Sequence, residues 1–109
     1  MSNEVTFEEF SKIDMKIGKI IDAQLVPGSK KLLKLQIDVG GQKKQSIAAI
    51  GDQYTIESII AKLVVIVTNL KPRKIVGQDS EVMLLAALDN RVVSILQPDK
   101  IVNAGSKVG

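Results

Sequence analysis

The chain has 109 residues, of which 45% are hydrophobic and 25% are charged, as expected for a single globular domain. It contains neither Cys nor His, which excludes disulfides, thiolate nucleophiles, imidazole bases and the metal sites that depend on these ligands. We therefore expect a binding protein without catalytic residues, a metal site or a cofactor.

The N-terminal segment and the apolar runs of the chain indicate where in the cell the protein is expected. The segment from Met1 to Glu4 lacks the basic and apolar regions of a signal peptide. The apolar run over residues 63–67 is too short to cross a bilayer. The sequence therefore predicts a cytoplasmic protein with no membrane partner.

The positive charge is concentrated in the middle of the chain. The formal net charge is only +3, but residues 30–75 carry nine Lys and Arg against three Asp and Glu. Such asymmetry favours an anionic partner on one face, with nucleic acid as the leading candidate. A solvated basic surface is the alternative interpretation.

A short helix is predicted over residues 6–14. Thr6 and Glu9 have the spacing of a capping box, in which each side chain satisfies a free backbone N–H at the helix start. Phe7 and Phe10 fall on one helical face. We expect this aromatic face to be packed.

Strand patterns follow the helix. A long strand is predicted from Met15, with Gly18 at a bulge or sharp bend, and residues 33–39 alternate strictly between apolar and polar. The other predicted elements are a turn at 26–29, a hairpin turn at 40–41, a strand over 44–50, a helix over 55–61, a buried strand over 63–68, a loop over 69–80, and strands over 82–88 and 92–97.

The order of these elements predicts an all-β fold. Three strands, a short helix and two further strands, with a strand appended, follow the order of an OB-fold, a five-stranded Greek-key barrel. Other small barrels share this strand count. We expect one domain over residues 1–109, with the N-terminal helix at 6–14, the barrel at 15–88 and a C-terminal strand extension at 89–109.

The basic residues suggest how such a barrel would bind nucleic acid. Trp is absent, and Tyr54 is the only aromatic residue outside the N-terminal helix, so stacking of single-stranded bases is a poor fit. Contacts to phosphates and to the shape of a folded RNA fit better. The loop from Lys71 to Lys74, stiffened by Pro72, is the best candidate, and Lys30 and Lys31 form the second.

Several spaced motifs resemble those of a known family. The run Asn69-Leu70-Lys71-Pro72-Arg73-Lys74, followed by Gly77, Ser80 and Met83-Leu84-Leu85-Ala86-Ala87, is similar to the signature of the tRNA-binding domain. That domain forms the C-terminal part or a separate β subunit of methionyl-tRNA synthetases, and also stand-alone tRNA-binding dimers. The resemblance covers residues 6–108.

The resemblance implies a homodimeric OB-fold protein that binds tRNA without catalysis. It implies an auxiliary β subunit that brings tRNA to a separate catalytic methionyl-tRNA synthetase chain. The tRNA contacts that it implies are Asn69, Lys71, Arg73, Lys74, Ser80 and Met83, to which the physical argument adds Lys30 and Lys31.

Two features of the chain depart from that family pattern. The first loop lacks the usual His-Pro, and Val82 stands where tRNA-binding members usually have Gly. A Gly would allow positive φ or close backbone approach to RNA, which a β-branched residue resists. Ser80-Glu81-Val82 resembles instead the CsaA-type secretion chaperones of the same fold. That branch implies unfolded export substrates and an exposed apolar groove.

Overall fold

The computed structural model describes residues 3–109, which form ten strands and two short helices. Met1 and Ser2, part of the segment predicted to lack signal-peptide features, lie outside the described residues. Within residues 3–109, neither helix is long and apolar enough to span a membrane. In chain order the elements are α1 (Phe7–Phe10), β1 (Met15–Leu25), β2 (Leu33–Asp38), β3 (Lys43–Ala48), α2 (Ile56–Ile59), β4 (Leu63–Val67), β5 (Arg73–Ile75), β6 (Gln78–Ser80), β7 (Met83–Leu84), β8 (Ala86–Asp89), β9 (Val92–Ile95) and β10 (Lys107–Val108).

Five strands form the barrel, and β1 is the central strand of their sheet. The antiparallel sheet has the order β3-β2-β1-β4-β7, and β10 also pairs with the start of β1. The two edges of this sheet meet at Gln45 of β3, whose carbonyl oxygen accepts a hydrogen bond from the Glu81 N–H at 2.8 Å. The sheet therefore curls into a nearly closed barrel, and the predicted all-β, OB-like fold is confirmed.

The alternation in β2 places its apolar side chains inside the barrel. Leu33, Leu35 and Ile37 are at most 1% exposed, and they share one core cluster with Ile20 of β1 and Ile66 of β4. Full burial of each such side chain contributes about 1.5–3 kcal/mol. This core is the main source of the stability of the barrel.

Helix α2 adds one more side chain to that core. Thr55 is its N-cap and accepts a hydrogen bond from the Ser58 N–H. The helix buries Ile59 completely and is shorter than the predicted span of residues 55–61.

The predicted bulge lies three residues beyond Gly18. The shift in register between β1 and β2 falls between Ile20 and Asp22, whereas Gly18 pairs regularly with Val64 of β4. A Cβ at Gly18 would lie 2.4 Å from Cγ2 of Ile37. Gly18 is therefore required by close packing on the core and not by a bulge.

Residues 69–80, predicted to be a loop, contain a two-stranded hairpin. β5 and β6 pair antiparallel across a turn at Val76-Gly77, where both residues have positive φ. The prediction missed these strands because each has three residues and little hydrophobic alternation. The predicted strand over 82–88 is likewise divided into β7 and β8.

The expected packing of the aromatic face of α1 is wrong within this chain. The capping box between Thr6 and Glu9 is present, but the helix ends at Phe10 and buries none of its residues. Phe7 is 82% exposed and Phe10 is 38% exposed, with their rings 6.4 Å apart. A single helical turn is too short to lay both rings on the barrel, so they contact each other instead.

We expect Gly18→Ala to destabilise the barrel, because the new methyl group forces Ile37 out of its packed position. The expected loss is about 1–3 kcal/mol in the free energy of unfolding, measured by urea denaturation. Lys19→Ala is the control, since the Lys19 side chain is exposed, and it should change stability by less than about 0.5 kcal/mol. Equal stability of Gly18→Ala and wild type would contradict the packing argument.

Candidate nucleic-acid interface

The hairpin of β5 and β6 carries two of the predicted basic contacts at the protein surface. Arg73 pairs with Ser80 and Lys74 pairs with Asp79 across the two strands. The Nζ atom of Lys74 lies 3.3 Å from Oδ1 of Asp79, and both Arg73 and Lys74 are exposed. Paired strands fix the direction of these side chains, which an unstructured loop would not.

The hairpin is anchored to β3 through side chains. The Gln45 Nε2 group donates to the Asp79 carbonyl at 2.7 Å, and the Ile47 N–H donates to Oγ of Ser80 at 3.1 Å. Gln45 is itself held by Gln36, whose Nε2 donates to Oε1 of Gln45 at 2.8 Å. Ser80, one of the predicted tRNA contacts, is thus half-buried and bonded to the barrel.

The side chains of Glu81 and Val82 both make contacts that stabilise the barrel. The Gln45 N–H donates to Oε1 of Glu81 at 2.9 Å, so a carboxylate completes the junction between the sheet edges. Val82 is 3% exposed, belongs to the core cluster, and does not have positive φ. The departure from Gly at this position therefore fills the core and adds no side chain to the exposed surface.

Asn69, another predicted contact, connects the end of β4 to the start of β1. Its Nδ2 group donates to the Lys12 carbonyl at 2.6 Å, and its Oδ1 atom accepts from the Asp14 N–H at 2.9 Å. Both ends of the amide are therefore engaged within the chain. Neighbouring Thr68 also bonds to Asp14, through its N–H and its hydroxyl group.

A groove of about 800 Å³ lies between β3, β7 and the segment before β5, and we call it the β3–β7 groove. Four of the eight predicted contacts line it, namely Lys71, Arg73, Ser80 and Met83. Apolar side chains make up much of the remaining lining, among them Ile50, Leu70, Leu84, Leu88 and Val93. The groove therefore combines an apolar wall with cationic side chains.

The loop of Lys30 and Lys31 is fastened beside one end of this groove. The Gly51 N–H donates to the Lys31 carbonyl at 2.6 Å, and Lys31 Nζ lies 3.7 Å from Oδ2 of Asp52. Gly51 follows Ile50, which lines the groove. Neither lysine lines the groove itself, nor do Lys74 and Asn69.

The exposure of the aromatic side chains differs from what the sequence predicts. Tyr54 packs against the core, and its hydroxyl oxygen accepts a hydrogen bond from the Ile95 N–H at 3.1 Å. Phe7, which the sequence assigned to packing, is the exposed ring. The sequence also missed Gln45 and Glu81, because their contact spans 36 residues and leaves no local signal.

A second cavity of about 570 Å³ lies away from all the predicted contacts. It is lined by Lys19, Lys62 and Lys100 together with residues 97–104 of the C-terminal segment. Among the described residues, no group of three or more acidic side chains is arranged to hold a metal ion.

Comparison with known proteins places this geometry in a family. The chain is 43% identical to methionine–tRNA ligase of Thermotoga maritima over 97% of its length, but it spans only 17% of that relative. A MetRS-related protein from Pyrococcus horikoshii has the same fold, with a TM-score of 0.92 at 31% identity, covering 99% of this chain and 100% of that one. A CsaA chaperone protein from Picrophilus torridus gives a TM-score of 0.90 at 32% identity, covering 97% of this chain and 100% of that one.

The family model described as "Putative tRNA binding domain" matches residues 15–107, from the start of β1 to the start of β10. The match therefore includes the whole barrel, the hairpin and the groove. The chain belongs to this tRNA-binding domain family.

Proposed function

We propose that this protein is a non-catalytic tRNA-binding dimer that acts as an auxiliary β subunit of methionyl-tRNA synthetase in the cytoplasm. The observation that supports this most directly is the anchored hairpin, which presents Arg73 and Lys74 to solvent beside the β3–β7 groove. Residues 1–109 would form one tRNA-binding unit. A separate synthetase chain would supply the catalytic site.

The charge arrangement suits a folded RNA. Arg73 can form two parallel hydrogen bonds with a phosphate, and Lys71 and Lys74 add point charges on the same segment. Phosphate contacts position a protein on RNA without reading its bases. Attached to a synthetase, such a surface would raise the local concentration of tRNA at the catalytic chain.

The exposed N-terminal residues support the proposed homodimer. Val5, Phe7, Phe10 and Ile13 are 38–82% exposed, and they include two of the three aromatic residues in the protein. Contiguous exposed apolar groups mark interaction surfaces, since leaving them in water is unfavourable. A second copy of the chain would cover them and bring two basic surfaces together.

A second candidate function follows from the apolar wall of the β3–β7 groove. Unfolded polypeptides bind through exposed apolar side chains, and Leu70 and Met83 in this groove are each 46% exposed. A CsaA-like chaperone that holds unfolded export substrates would use this surface. Its binding would survive high salt, because apolar contacts do not depend on counterion release.

We expect Arg73→Ala combined with Lys74→Ala to weaken tRNA binding, because two phosphate contacts are lost. The slope of log affinity against log salt should fall by about 2, as measured with labelled tRNA between about 50 and 200 mM salt. Lys62→Ala combined with Lys100→Ala removes the same charge from the second cavity and is the control.

The control should leave the slope within about 1 of wild type. Equal slopes for the two double variants would remove the hairpin from the tRNA site. If the wild-type protein binds no tRNA at low salt but binds unfolded polypeptide at high salt, the chaperone function replaces the tRNA-binding one.

Variants of Asn69 and Lys71 should distinguish a residue that supports the fold from a residue that contacts tRNA directly. Asn69→Ala removes two intramolecular hydrogen bonds and should lower the free energy of unfolding by about 1–2 kcal/mol. Lys71→Ala should leave stability unchanged, because its side chain is exposed, but weaken tRNA binding. Urea denaturation and tRNA titration of both variants test this, and unchanged stability of Asn69→Ala would refute its structural role.

Replacing both rings of α1 should dissociate the proposed dimer. Phe7→Ser combined with Phe10→Ser removes the apolar contact with the second copy, so sedimentation equilibrium should give the monomer mass where wild type gives the dimer. Leu25→Ser is the control, because Leu25 is 54% exposed but lies at the far end of β1. A monomeric wild-type protein would contradict the proposed dimer directly.

A further inference from the structure

Val76, at the tip of the β5–β6 hairpin, has an unfavourable backbone conformation. Its φ is +50°, and Gly77 follows at +75°. Turns of this kind favour Asn, Asp or Gly at both central positions, because a Cβ branch crowds the backbone at positive φ. A valine here therefore raises the energy of the turn.

Burial of Val76 within the chain does not compensate for this cost. The residue is 60% exposed, and it lines neither the β3–β7 groove nor the second cavity. An apolar side chain at such a position is available to a binding partner.

The residues near Val76 are positively charged and held in fixed positions, which suits a nucleic acid as partner. Lys74 lies two residues before it and Arg73 three residues before it, both exposed; Arg73 forms no ion pair among the described residues, whereas Lys74 pairs with Asp79 across the hairpin. The hairpin is held in place by the contacts of Ser80 and Asp79 with β3. The tip is therefore an apolar group presented at a fixed position beside two cations.

We propose that Val76 packs against the face of an unstacked base of the bound tRNA while Arg73 and Lys74 bind the adjacent phosphates. This inference rests on the proposed tRNA-binding function and adds a contact that distinguishes one RNA from another. Bases in the loops and bends of a folded RNA are accessible to such packing, whereas bases within a duplex are not. Phosphate contacts alone would not distinguish a folded RNA from a plain duplex.

The test compares Val76→Asn and Val76→Ile with wild type. Asn is well tolerated at positive φ, so Val76→Asn should fold and have a Tm at least as high as that of wild type. Its affinity for tRNA should fall about 5- to 10-fold, because an apolar contact is lost, with no change in salt slope. Val76→Ile should retain wild-type affinity.

Binding to a blunt RNA duplex distinguishes the loss of a base contact from a general loss of RNA affinity. The affinity of Val76→Asn for a long duplex should equal that of wild type, because all bases except the two terminal pairs are stacked on both faces. Wild-type tRNA affinity in Val76→Asn, or equal losses for duplex and tRNA, would overturn the base contact and leave the proposed function standing. A loss confined to unfolded polypeptide would overturn it in favour of a peptide contact. A wild-type protein that binds no tRNA would overturn both proposals.

Discussion

The junction between β3 and the residues before β7 is the contact on which the rest of the structure depends. An edge strand leaves backbone N–H groups unpaired, and a buried unpaired N–H costs about 1–3 kcal/mol. Here the Gln45 N–H bonds to the Glu81 carboxylate and the Ile47 N–H to the Ser80 hydroxyl group. These two side-chain bonds add to the backbone bond from the Glu81 N–H to the Gln45 carbonyl, and together they close the barrel.

This closure also positions the candidate binding surface. Because Ser80 ends β6, the bonds that close the barrel set the position of the hairpin that carries Arg73 and Lys74. They also bring the segment before β5 against β3 and so form the groove. Changes at Ser80 would therefore act on binding through the fold as well as through any direct contact.

The chain shares its fold with two kinds of protein. The structural neighbours include a MetRS-related protein and CsaA chaperones, all at similar identity. An apolar wall beside cationic side chains is compatible with either of the two proposed functions, because phosphates bind cations and unfolded polypeptides bind apolar surfaces. Val82 is 3% exposed in the core cluster and also lines the floor of this groove.

The sequence by itself determined the barrel strands, the capping box of α1, the basic segment and the family, because each leaves a local pattern of apolar, polar or charged residues. Only the tertiary structure decided that residues 73–80 form an anchored hairpin, that Phe7 is exposed, and that Asn69 connects β4 to β1. These features depend on contacts between residues far apart in the chain, 33–57 positions for the bonds of Ser80, Glu81 and Asn69. Hydrophobic periodicity reports which face of a strand is buried, but it carries no information about which distant polar group completes a hydrogen bond.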